Sequence, residues 1–569
     1  MSNNHYLAIT IGPIFRTIKR ARKTRELWAA SYIFSLLMRR ILQQLKNYQV
    51  IVPSIENVSL DDSPHGAGLW HDRCIVQLEG GTVPDVKSII DATLDQIAAD
   101  LKLQNKNALV DLFDVKVLCA DWRKEEDWNT GANGSEDDLA PIHRINRLLD
   151  NLELQQHYQP VEPKSLNQVL EAHIHDLYEV AGHKGSKVFI HLEDGSVRLP
   201  SLPEIALSEL KSNPAYNAVY QIAVEEKLNK KIMEARRGKG RAKDLEGYKE
   251  EEQFYRDLKQ SLPSDSILFR HKYVAVVVSD GDNLGKIITG ISQGKLNISL
   301  SDFSKRLRTF SVSAVQKIAD FQGLPVYAGG DDLLFLAPVV NEKTSVFDLC
   351  MELNQAFQKE MGLEGVSMSF GVSIQYYKHP LGEAVEAAYA LEQKAKNFQL
   401  LFEEDKEADG KLAPRHKKNA ICFQVQKHSG QQFGATLWMG NPAFTDAILQ
   451  LLKSDAELDE AFLTSLMHKL QSIPGLLADA AKNNRLEPFR LHHFNEGGKH
   501  EKEYLVNALD LAGMIFKLYG DSLAPEMEKE IRKDKRYRNR PVNLLDIYHT
   551  ELLFALLRLK QFLIQKDHD

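Results

Sequence analysis

The sequence predicts an α+β protein with two ferredoxin-like domains, a mostly helical connector and a C-terminal helical bundle. Residues 1–160 alternate strand-like and helix-like segments in a βαββα-like order, and residues 266–430 repeat this plan as βαββαβ. Residues 161–265 form the predicted connector, and residues 431–569 carry apolar stretches with helical spacing. A chain of 569 residues exceeds what one hydrophobic core usually organises, which agrees with several domains.

The first domain opens with a predicted strand at Tyr6–Ile11, and a long helix follows. Apolar residues recur in this helix every four positions, at Ile33, Leu37, Ile41 and Leu45, so one face is predicted to be buried. The remaining predicted segments are strands near 50–53, 74–78 and 115–120 and an amphipathic helix at 86–101. Their order suggests one sheet with helices on one face.

The connector combines a turn signal with a charged stretch. A hairpin is predicted at 187–198 around Asp194-Gly195, because Asp-Gly favours positive φ. A charged helical stretch is predicted over 203–262. It contains the basic cluster Lys227–Lys243, whose glycines and acidic residues indicate a solvated arm, with RNA contact as the alternative.

The second domain begins with a predicted strand at Tyr273–Ser279, which runs directly into the sequence DGDNLGK. An amphipathic helix and a hairpin at 324–339 follow, and the hairpin contains GGDD. Residues 366–374 alternate apolar and small polar residues, as a half-buried strand does. A helix at 381–396 and a strand at 420–426 complete the predicted domain.

Composition and charge exclude several protein classes. The longest apolar runs are strand-length and the N-terminus lacks the order of a signal peptide, so we expect a cytoplasmic protein without membrane spans. The four cysteines form no C-x-x-C pair, which argues against a zinc ribbon and favours buried thiols. Net charge is −7, so contact with nucleic acid must come from local clusters such as Arg16–Arg25 and Arg532–Arg540.

Three aspartates are the candidate catalytic and metal-binding residues. Asp280 follows a strand that reads as buried, and Asp331 with Asp332 follows Gly329-Gly330 in the hairpin. Neighbouring strand ends in a sheet of this kind can bring all three carboxylates together. Carboxylate oxygens are the ligands that Mg²⁺ prefers, and Mn²⁺ binds similar donors, so the pattern predicts a site for nucleotidyl transfer from a nucleoside triphosphate.

Further residues around these aspartates are predicted to contact the nucleotide. Glycines permit positive φ and close approach of a phosphate to the backbone, whereas lysines and polar side chains can bind its charge. The candidates are Gly281, Asp282, Asn283, Lys286, Gly329, Gly330, Lys394 and Lys396. For the last two lysines, a solvated helix face is an equally good interpretation.

A GGDD tetrapeptide alone is weak evidence, because a solvated Gly-Gly turn followed by surface aspartates also explains it. Its context favours function. Apolar strands flank the tetrapeptide, DGDNLGK lies upstream, and the segment order is βαββαβ. Together these features predict a nucleotide-cyclase-like palm domain.

The chain resembles the large palm-domain subunit of type III CRISPR effector complexes, especially its Cmr (III-B) branch. The resemblance lies in GGDD, DGDNLGK and the N-terminal sequence ITIGPIFRTIKRARKTRELWAASYIFS, and the two palm-like blocks with the helical C-terminus extend it over nearly the whole length. It implies an RNA-activated enzyme, held with other subunits, guide RNA and target RNA, that makes cyclic oligoadenylate from ATP. Asp280, Asp331 and Asp332 would hold the metal ions.

The chain departs from the family pattern at two points. Many members begin with an HD nuclease domain, whereas this sequence enters its first palm at residue 6 and contains only the dipeptide His71-Asp72, so no nuclease activity is expected. The cysteine-rich zinc site of the family also has no counterpart.

The short form of the family leaves the acceptor open, because some relatives are thought to couple ATP to S-adenosylmethionine. A carboxylate for the ammonium group and an aromatic face for the sulfonium would suit that acceptor. The first-palm candidates are Trp70, Asp72 and Glu153, with ordinary surface or packing roles as the alternative. Two rival functions are a non-catalytic scaffold of the ribonucleoprotein and a stand-alone cyclase that works without RNA.

Overall fold

The protein was analysed as a computed structural model, which describes sixteen stretches of the chain. These are residues 4–55, 60, 64–78, 82–110, 112–122, 141–154, 169–170, 172–192, 195–212, 260, 267–406, 412–453, 458–494, 498–523, 525–533 and 543–567. The cluster Lys227–Lys243, most of the expected helical stretch over 203–262 and the residues after Lys533 in the cluster Arg532–Arg540 lie outside them.

The first domain is a four-stranded antiparallel sheet in the order β2-β3-β1-β4, the ferredoxin-like arrangement that the sequence predicts. Its elements are β1 (Asn4–Gly12), α1 (Ile14–Ile18), α2 (Thr24–Gln44), β2 (Gln49–Val52), β3 (Arg73–Leu78), α3 (Val86–Asp100), α4 (Asn107–Val110), β4 (Asp114–Trp122) and α5 (Pro141–Glu153). Cys119 is exposed because β4 is an edge strand, and the other three cysteines are buried as expected.

Helix α2 is buried on nearly every side. Its apolar residues share one hydrophobic core with β1 and β3 of the first domain and with Val276 and Val326 of the second sheet. A helix that is apolar around most of its surface is buried between two layers rather than lying on one. The two domains are therefore packed through a common core.

The connector packs against this same core. Its described elements are α6 (Ile174–Ala181), β5 (Ile190–His191), β6 (Val197–Arg198), α7 (Leu202–Ala206) and α8 (Ser208–Ser212). The two strands form the predicted antiparallel hairpin, and Gly195 has a φ of +79° in its turn. Asp194 lies outside the described residues.

The second domain is built on a six-stranded sheet in the order β16-β15-β12-β7-β9-β8. Its elements are β7 (Tyr273–Asp282), α9 (Leu284–Ser292), α10 (Leu300–Asp320), β8 (Leu324–Gly329), β9 (Asp332–Pro338), β10 (Val340–Asn341), β11 (Thr344–Ser345), α11 (Val346–Met361), β12 (Ser367–Tyr376), α12 (Leu381–Lys396), β13 (Gln399–Lys406), β14 (Leu412–Lys417), β15 (Ala420–Gln426) and β16 (Gln432–Trp438). The four strands β8, β9, β7 and β12 repeat the order of the first sheet, which confirms the predicted α+β plan.

The expected boundary at residue 430 falls inside this sheet. Strand β15 lies parallel to β12, and β16 pairs with β15 from Ala420↔Trp438 to Gln426↔Gln432. The strand at 432–438 belongs to the sheet because its backbone satisfies the outer edge of β15. The helical region therefore begins after Trp438.

The C-terminal region contains helices, as the sequence predicts. They are α13 (Pro442–Leu452), α14 (Glu460–Ser472), α15 (Pro474–Lys482), α16 (Leu486–His493), α17 (Lys499–Leu518), α18 (Pro525–Lys533) and α19 (Leu544–Ile564). Helix α19 carries buried leucines that share a core with the second sheet. Among the described residues, none of the helices combines the length and hydropathy that a bilayer-spanning segment needs.

A close approach between β12 and α12 gives a first prediction. A Cβ atom on Gly371 would collide with the Ala388 carbonyl oxygen and the Glu392 backbone nitrogen. We expect Gly371→Ala to destabilise the domain by about 1–3 kcal/mol, as overpacked positions do, and thermal unfolding of the full chain measures this. Gly475→Ala is the matched control, because nothing lies within 4 Å of a Cβ there, and an equal effect in both variants would contradict the prediction.

Candidate metal and nucleotide site

Three carboxylates meet where β7 ends and β9 begins. Strands β7 and β9 are antiparallel with Ser279 opposite Leu333, so Asp280 lies beside the turn that carries Asp331 and Asp332. One carboxylate oxygen from each of the three lies within 4.8 Å of the others. The structure thus brings together the acidic side chains predicted from the sequence, although Asp280 and Asp331 are 51 residues apart along the chain.

The glycine turn is held by its neighbours rather than left open. Gly330 has a φ of +69°, which favours glycine, and Ser311 Oγ accepts a hydrogen bond from its N–H at 2.9 Å and donates to its carbonyl at 3.1 Å. A Cβ on Gly330 would lie 2.7 Å from the His71 ring, and one on Gly329 would collide with the Tyr327 hydroxyl. The expected room for a triphosphate at these glycines is therefore occupied by protein side chains.

Gly281 has a similar role. A Cβ at this position would lie 2.8 Å from Asp331 Cβ and 2.9 Å from Asp331 Oδ2. The absence of a side chain lets β7 approach the aspartate turn closely. Gly281 thus sets the spacing between Asp280 and Asp331.

The carboxylates at this site repel one another. Burial raises the pKa of Asp331, and burial followed by repulsion from Asp331, Asp72 and Glu392 raises the pKa of Asp332 well above its ordinary value. The tip of Asp332 still reaches an open cleft, so solvent and ligands have access to it. A cation would relieve this repulsion, which makes the donor set suited to a divalent metal ion.

Lys396 contacts the third carboxylate. Its ammonium group forms an ion pair with Asp280 Oδ2 and lies 3.8 Å from Glu392 Oε1, one helical turn earlier on α12. Burial, with repulsion from Lys418, lowers the pKa of Lys396 to about 8. Of the two lysines predicted on this helix, Lys396 contacts Asp280, whereas Lys394 is exposed and lines the same cavity of about 1060 Å³ as Lys396.

Asp282 is predicted from the sequence to contact the nucleotide, but its side chain does not face the nucleotide site. Its side chain is fully buried, and its oxygens accept hydrogen bonds from Ser367 Oγ at 2.7 Å, Ser369 Oγ at 2.9 Å and the Asn419 N–H at 2.9 Å. Strand alternation alone would place Asp282 on the same face of the sheet as Asp280, but these hydrogen bonds hold its side chain in the interior. Its interactions join β7 to β12 and to the turn before β15.

The remaining predicted residues of DGDNLGK lie at the start of α9. Asn283 has a φ of +63°, precedes the helix and donates from Nδ2 to the Gly365 carbonyl at 3.2 Å. Lys286 is exposed in the first turn of α9. The structure leaves Lys286 accessible to an anion.

A cavity of about 880 Å³ lies between the two domains and reaches the aspartate turn. The predicted acceptor residues Asp72 and Glu153 line it together with Asp332, Tyr327 and Tyr389. Glu153 accepts hydrogen bonds from Thr10 Oγ1 at 2.5 Å and from Arg73 Nη2 at 2.8 Å, so its position is fixed. Burial raises the pKa of Asp72, and the charges of His71 and Arg73 oppose that effect.

Trp70 also lines this cavity, but one face of its ring is already covered. The Arg308 guanidinium carbon lies 4.1 Å above the ring centroid. The backbone N–H of Trp70 donates to Ser35 Oγ at 2.9 Å. Because Arg308 covers this face, the face cannot also bind a sulfonium. The prediction that Trp70 offers an aromatic face to the acceptor is therefore wrong for this side of the ring. Trp70 is 3% exposed, so packing accounts for most of its surface.

The basic segment Arg16–Arg25 lies at the interface of the domains. Arg16 lines the 880 Å³ cavity, and Lys19 Nζ pairs with Glu386 Oε1 of α12 at 2.6 Å. A Cβ on Gly382 would collide with the Lys19 carbonyl oxygen, so the segment packs tightly on the N-terminal end of α12. Part of this cluster therefore serves contact between the domains.

Sequence reasoning missed several residues of the site. It discounted His71 as a metal ligand, yet this histidine packs on Gly330 from the other domain. It did not select Tyr327, Ser311 or Glu392. A tyrosine two residues before GGDD and an acidic residue four before Lys396 were the available signals, but contacts between the domains could not be derived from spacing.

Comparison with known proteins assigns both domains to one family. The model of the Cas10/Cmr2 second palm domain matches residues 273–400, which include Asp280 and the GGDD turn. The model of the N-terminal part of the CRISPR-associated protein Cmr2 matches residues 6–236. Together the two matches cover well over half of the 569 residues.

Individual relatives agree with this assignment. The CRISPR system Cmr subunit Cmr2 of Pyrococcus furiosus is 33% identical over 149 residues, which span 22% of this chain and 17% of that protein. A chain of the type III-B Cmr-β complex in its apo state has the same fold, with a TM-score of 0.54 and 13% identity over 97% of this chain and 82% of that one. A chain of the complex bound to cognate target RNA matches with a TM-score of 0.48 and 13% identity over 98% and 83% of the two chains. The chain belongs to the Cas10/Cmr2 family of type III-B CRISPR-associated proteins.

Proposed function

We propose that this protein is a metal-dependent nucleotidyltransferase that uses ATP to make a nucleotide second messenger. The observation that carries the proposal is the convergence of Asp280, Asp331 and Asp332 beside the cationic Lys396. Such a set can hold a divalent cation and also bind a phosphate, as transfer from ATP requires. Membership of the family that contains the second palm domain supports the same reaction class.

The donor set fits Mg²⁺ or Mn²⁺, because three carboxylates supply hard oxygen ligands. A divalent cation would also relieve the repulsion between Asp331 and Asp332. When bound, the cation would neutralise negative charge on the reacting phosphates. Lys396 would exchange its contact with Asp280 for contact with a phosphate, and Lys286 would bind phosphate charge from the start of α9. Gly281 and Ser311 keep the carboxylates in place.

The proposed reaction is the attack of a ribose 3'-hydroxyl oxygen on the α-phosphorus of ATP. A new P–O bond forms, the bond to the bridging β-phosphate oxygen breaks, and its electron pair leaves with pyrophosphate. The hydroxyl proton passes to solvent or to a carboxylate of the site. If the acceptor is a second ATP, repetition and ring closure give cyclic oligoadenylate, the product that the family resemblance implies.

The charge of the cavity between the domains favours S-adenosylmethionine as an alternative acceptor. Five acidic residues line this cavity, against the two cations Arg16 and Lys116; they are Asp72, Asp114, Asp150, Glu153 and Asp332. An acidic cavity attracts an acceptor with sulfonium and ammonium charges better than a second triphosphate. S-adenosylmethionine also carries an adenosine with a free 3'-hydroxyl, so the same bond would form.

We further propose that the chain acts in the cytoplasm as a subunit of an effector complex with other Cmr-type proteins, guide RNA and target RNA. Family membership and the likeness to a chain of the type III-B complex support this. Activation by target RNA would distinguish this enzyme from a stand-alone cyclase. A scaffold without catalysis would retain the assembly but would not turn over ATP.

Removal of both turn carboxylates tests the enzymatic proposal. We expect Asp331→Ala with Asp332→Ala to lower product formation by at least about 100-fold, because each change removes charge that positions the reacting phosphates. The RNA-bound complex is incubated with labelled ATP, with and without S-adenosylmethionine, and products are identified by mass. Asp510→Ala, on the exposed side of α17, is the control. Unchanged turnover in the double variant would support the scaffold instead.

The acceptor is tested by neutral replacements in the cavity. If S-adenosylmethionine binds there, Asp72→Asn and Glu153→Gln should each lower kcat/KM for that acceptor by about tenfold, equivalent to about 1.4 kcal/mol per lost charge contact. Glu364→Gln removes an exposed charge outside the cavity lining and should leave the value unchanged. A product that contains only adenylate, insensitive to both cavity variants, would assign a second ATP as the acceptor.

Repulsion among the carboxylates gives a prediction that needs no substrate. Without metal, Asp332→Asn should raise Tm by about 2–4 °C, which corresponds to about 1 kcal/mol for a domain of this size. Saturating Mn²⁺ should raise Tm of the original protein more than that of the variant, because the variant has lost a ligand. Differential scanning calorimetry in EDTA and in Mn²⁺ measures both effects. A lower Tm of the variant in EDTA would show that the favourable contacts of the Asp332 carboxylate outweigh its repulsion from the neighbouring acidic groups.

A further inference from the structure

A basic groove lies at the end of the second sheet that is remote from the aspartates. It consists of two adjoining cavities of about 300 Å³ and 290 Å³, and Lys427 lines both. Within the described part of the chain, no carboxylate lines either cavity. The cations and histidines that line the groove are Lys378, His379, Lys427, His428, His468 and Arg558.

Acidic residues stand at the edge of the groove rather than in its lining. Glu551 Oε2 lies 4.0 Å from Arg558 Nη1, and Glu383 Oε2 lies 3.6 Å from His379 Nε2. The cavity between the domains is lined by five acidic residues, so the two surfaces of the same chain have opposite charge. The groove is therefore the surface that suits a polyanion.

Lys427 stands at the junction of the two cavities. Its ammonium group lies 5.7 Å from the Phe269 ring centroid, and it has no ion-pair partner among the described residues. Burial lowers the pKa of Lys427, and the charge of Glu460 opposes this effect. An anion in the groove would supply the partner that the protein does not.

The groove is far from the candidate metal site. Tyr376, which lines it, pairs with Tyr273 at the start of β7, whereas Asp280 follows seven residues later on that strand. At about 3.3 Å per residue, the two positions are about 23 Å apart. A ligand in the groove would therefore not contact the three aspartates directly.

The groove also offers an aromatic surface. His428 is exposed, and its ring centroid lies 5.8 Å from that of Tyr376 and 6.1 Å from that of Phe269. The backbone N–H of His428 donates to the Tyr273 hydroxyl at 3.3 Å, which fixes the chain at this point. A solvent-exposed ring that rests on other rings suits stacking with a nucleobase.

A buried glutamine in the lining lacks one hydrogen bond. Gln375 is 3% exposed and lines the groove, and its Nε2 donates to Ser373 Oγ at 2.8 Å. Its Oε1 is buried and has no hydrogen-bond partner among the described residues. A buried acceptor without a partner costs about 1–3 kcal/mol, and a hydroxyl or N–H of a ligand would remove that cost.

We propose that this groove binds a single strand of RNA. Lys378, Lys427 and Arg558 contact its phosphates, and the ring of His428 stacks on a base. A ribose 2'-hydroxyl donates a hydrogen bond to Gln375 Oε1, a contact that DNA does not offer. An acidic protein segment would also meet the cations, but its carboxylate side chains have no ring to place on His428. The inference goes beyond the proposed nucleotidyl transfer and does not depend on it.

The phosphate contacts are tested by binding of a labelled 12-residue oligouridylate to the full chain. Fluorescence anisotropy is measured in EDTA at several salt concentrations, so no turnover is needed and failure of the proposed enzymatic reaction would not affect the result. Lys378→Ala with Lys427→Ala should weaken binding at least about tenfold. The slope of log affinity against log salt should fall by about 1.4, since each phosphate contact to a single strand contributes about 0.7.

Lys295→Ala with Lys469→Ala is the matched control. Both side chains are exposed and lie outside the lining of the groove. This pair removes the same total charge and should change the affinity by less than twofold. An equal loss in both pairs, or no loss in the groove pair, would overturn the inference.

The stacking contact separates RNA from an acidic protein partner. His428→Ala should weaken oligouridylate binding at least about fivefold and leave the salt slope unchanged, because stacking on a base contributes about 1 kcal/mol or more. Poly-glutamate is the competing probe. Displacement of the RNA by poly-glutamate at matched charge, with no effect of His428→Ala, would assign the groove to an acidic protein segment and overturn the proposal.

The contact with the 2'-hydroxyl is tested by comparing oligouridylate with oligodeoxyuridylate of the same length. The original protein should bind the RNA about tenfold more tightly, and Gln375→Met, which removes the acceptor, should bind both strands alike. Equal binding of the two strands by the original protein would overturn the assignment to RNA. A parallel loss for both strands in Gln375→Met would also overturn it, because that result would show damage to the groove rather than a lost hydroxyl contact.

Discussion

The antiparallel pairing of β7 with β9 is the constraint on which the rest of the site depends. Its register, with Ser279 opposite Leu333, fixes Asp280 beside Asp331 and Asp332. A shift by one residue would turn each of these side chains to the other face of the sheet. Strand β7 is buried on both faces, with Val277 in one core and Val276 and Val278 in the other. Such a shift would exchange these residues between two differently packed cores, and close packing opposes it. Hydrophobic burial thus supplies the precision that the carboxylates need.

The same core offsets an electrostatic cost. Three neighbouring carboxylates, with Asp72 and Glu392 nearby, repel one another. The first domain compensates by packing against the second. The Gly68 carbonyl accepts the Ala328 N–H at 2.8 Å, His71 covers Gly330, and α2 shares a core with β8. A site that is unfavourable without its ligands is therefore held in place by contacts from outside its own domain.

Sequence patterns were sufficient for whatever depends on local periodicity and strand ends. Alternation in β12, helical spacing in α2 and the turn residues of GGDD predict the two sheets and the convergence of the aspartates. Asp282 shows the limit of this reasoning. It lies two residues after Asp280 in a polar motif, so strand alternation alone would put both side chains on one face. Tertiary contacts hold Asp282 in the interior instead, and its partners come from β12 and from a turn 137 residues away. His71 was missed for the same reason, because its position against Gly330 comes from a tertiary contact and not from spacing.

The two cavities beside the aspartates differ in charge, and this difference fits the direction of the proposed reaction. The cavity between the domains is acidic and reaches Asp332, whereas the other is lined by lysines and reaches Asp280 through Lys396. In the proposed reaction pyrophosphate gains negative charge as it leaves, so the lysine-lined cavity would suit it better than the acidic one. An acceptor that carries positive charge is attracted to the acidic cavity. Asp332 lines the acidic cavity and Asp280 contacts Lys396 of the other, so the group of three carboxylates connects the two cavities.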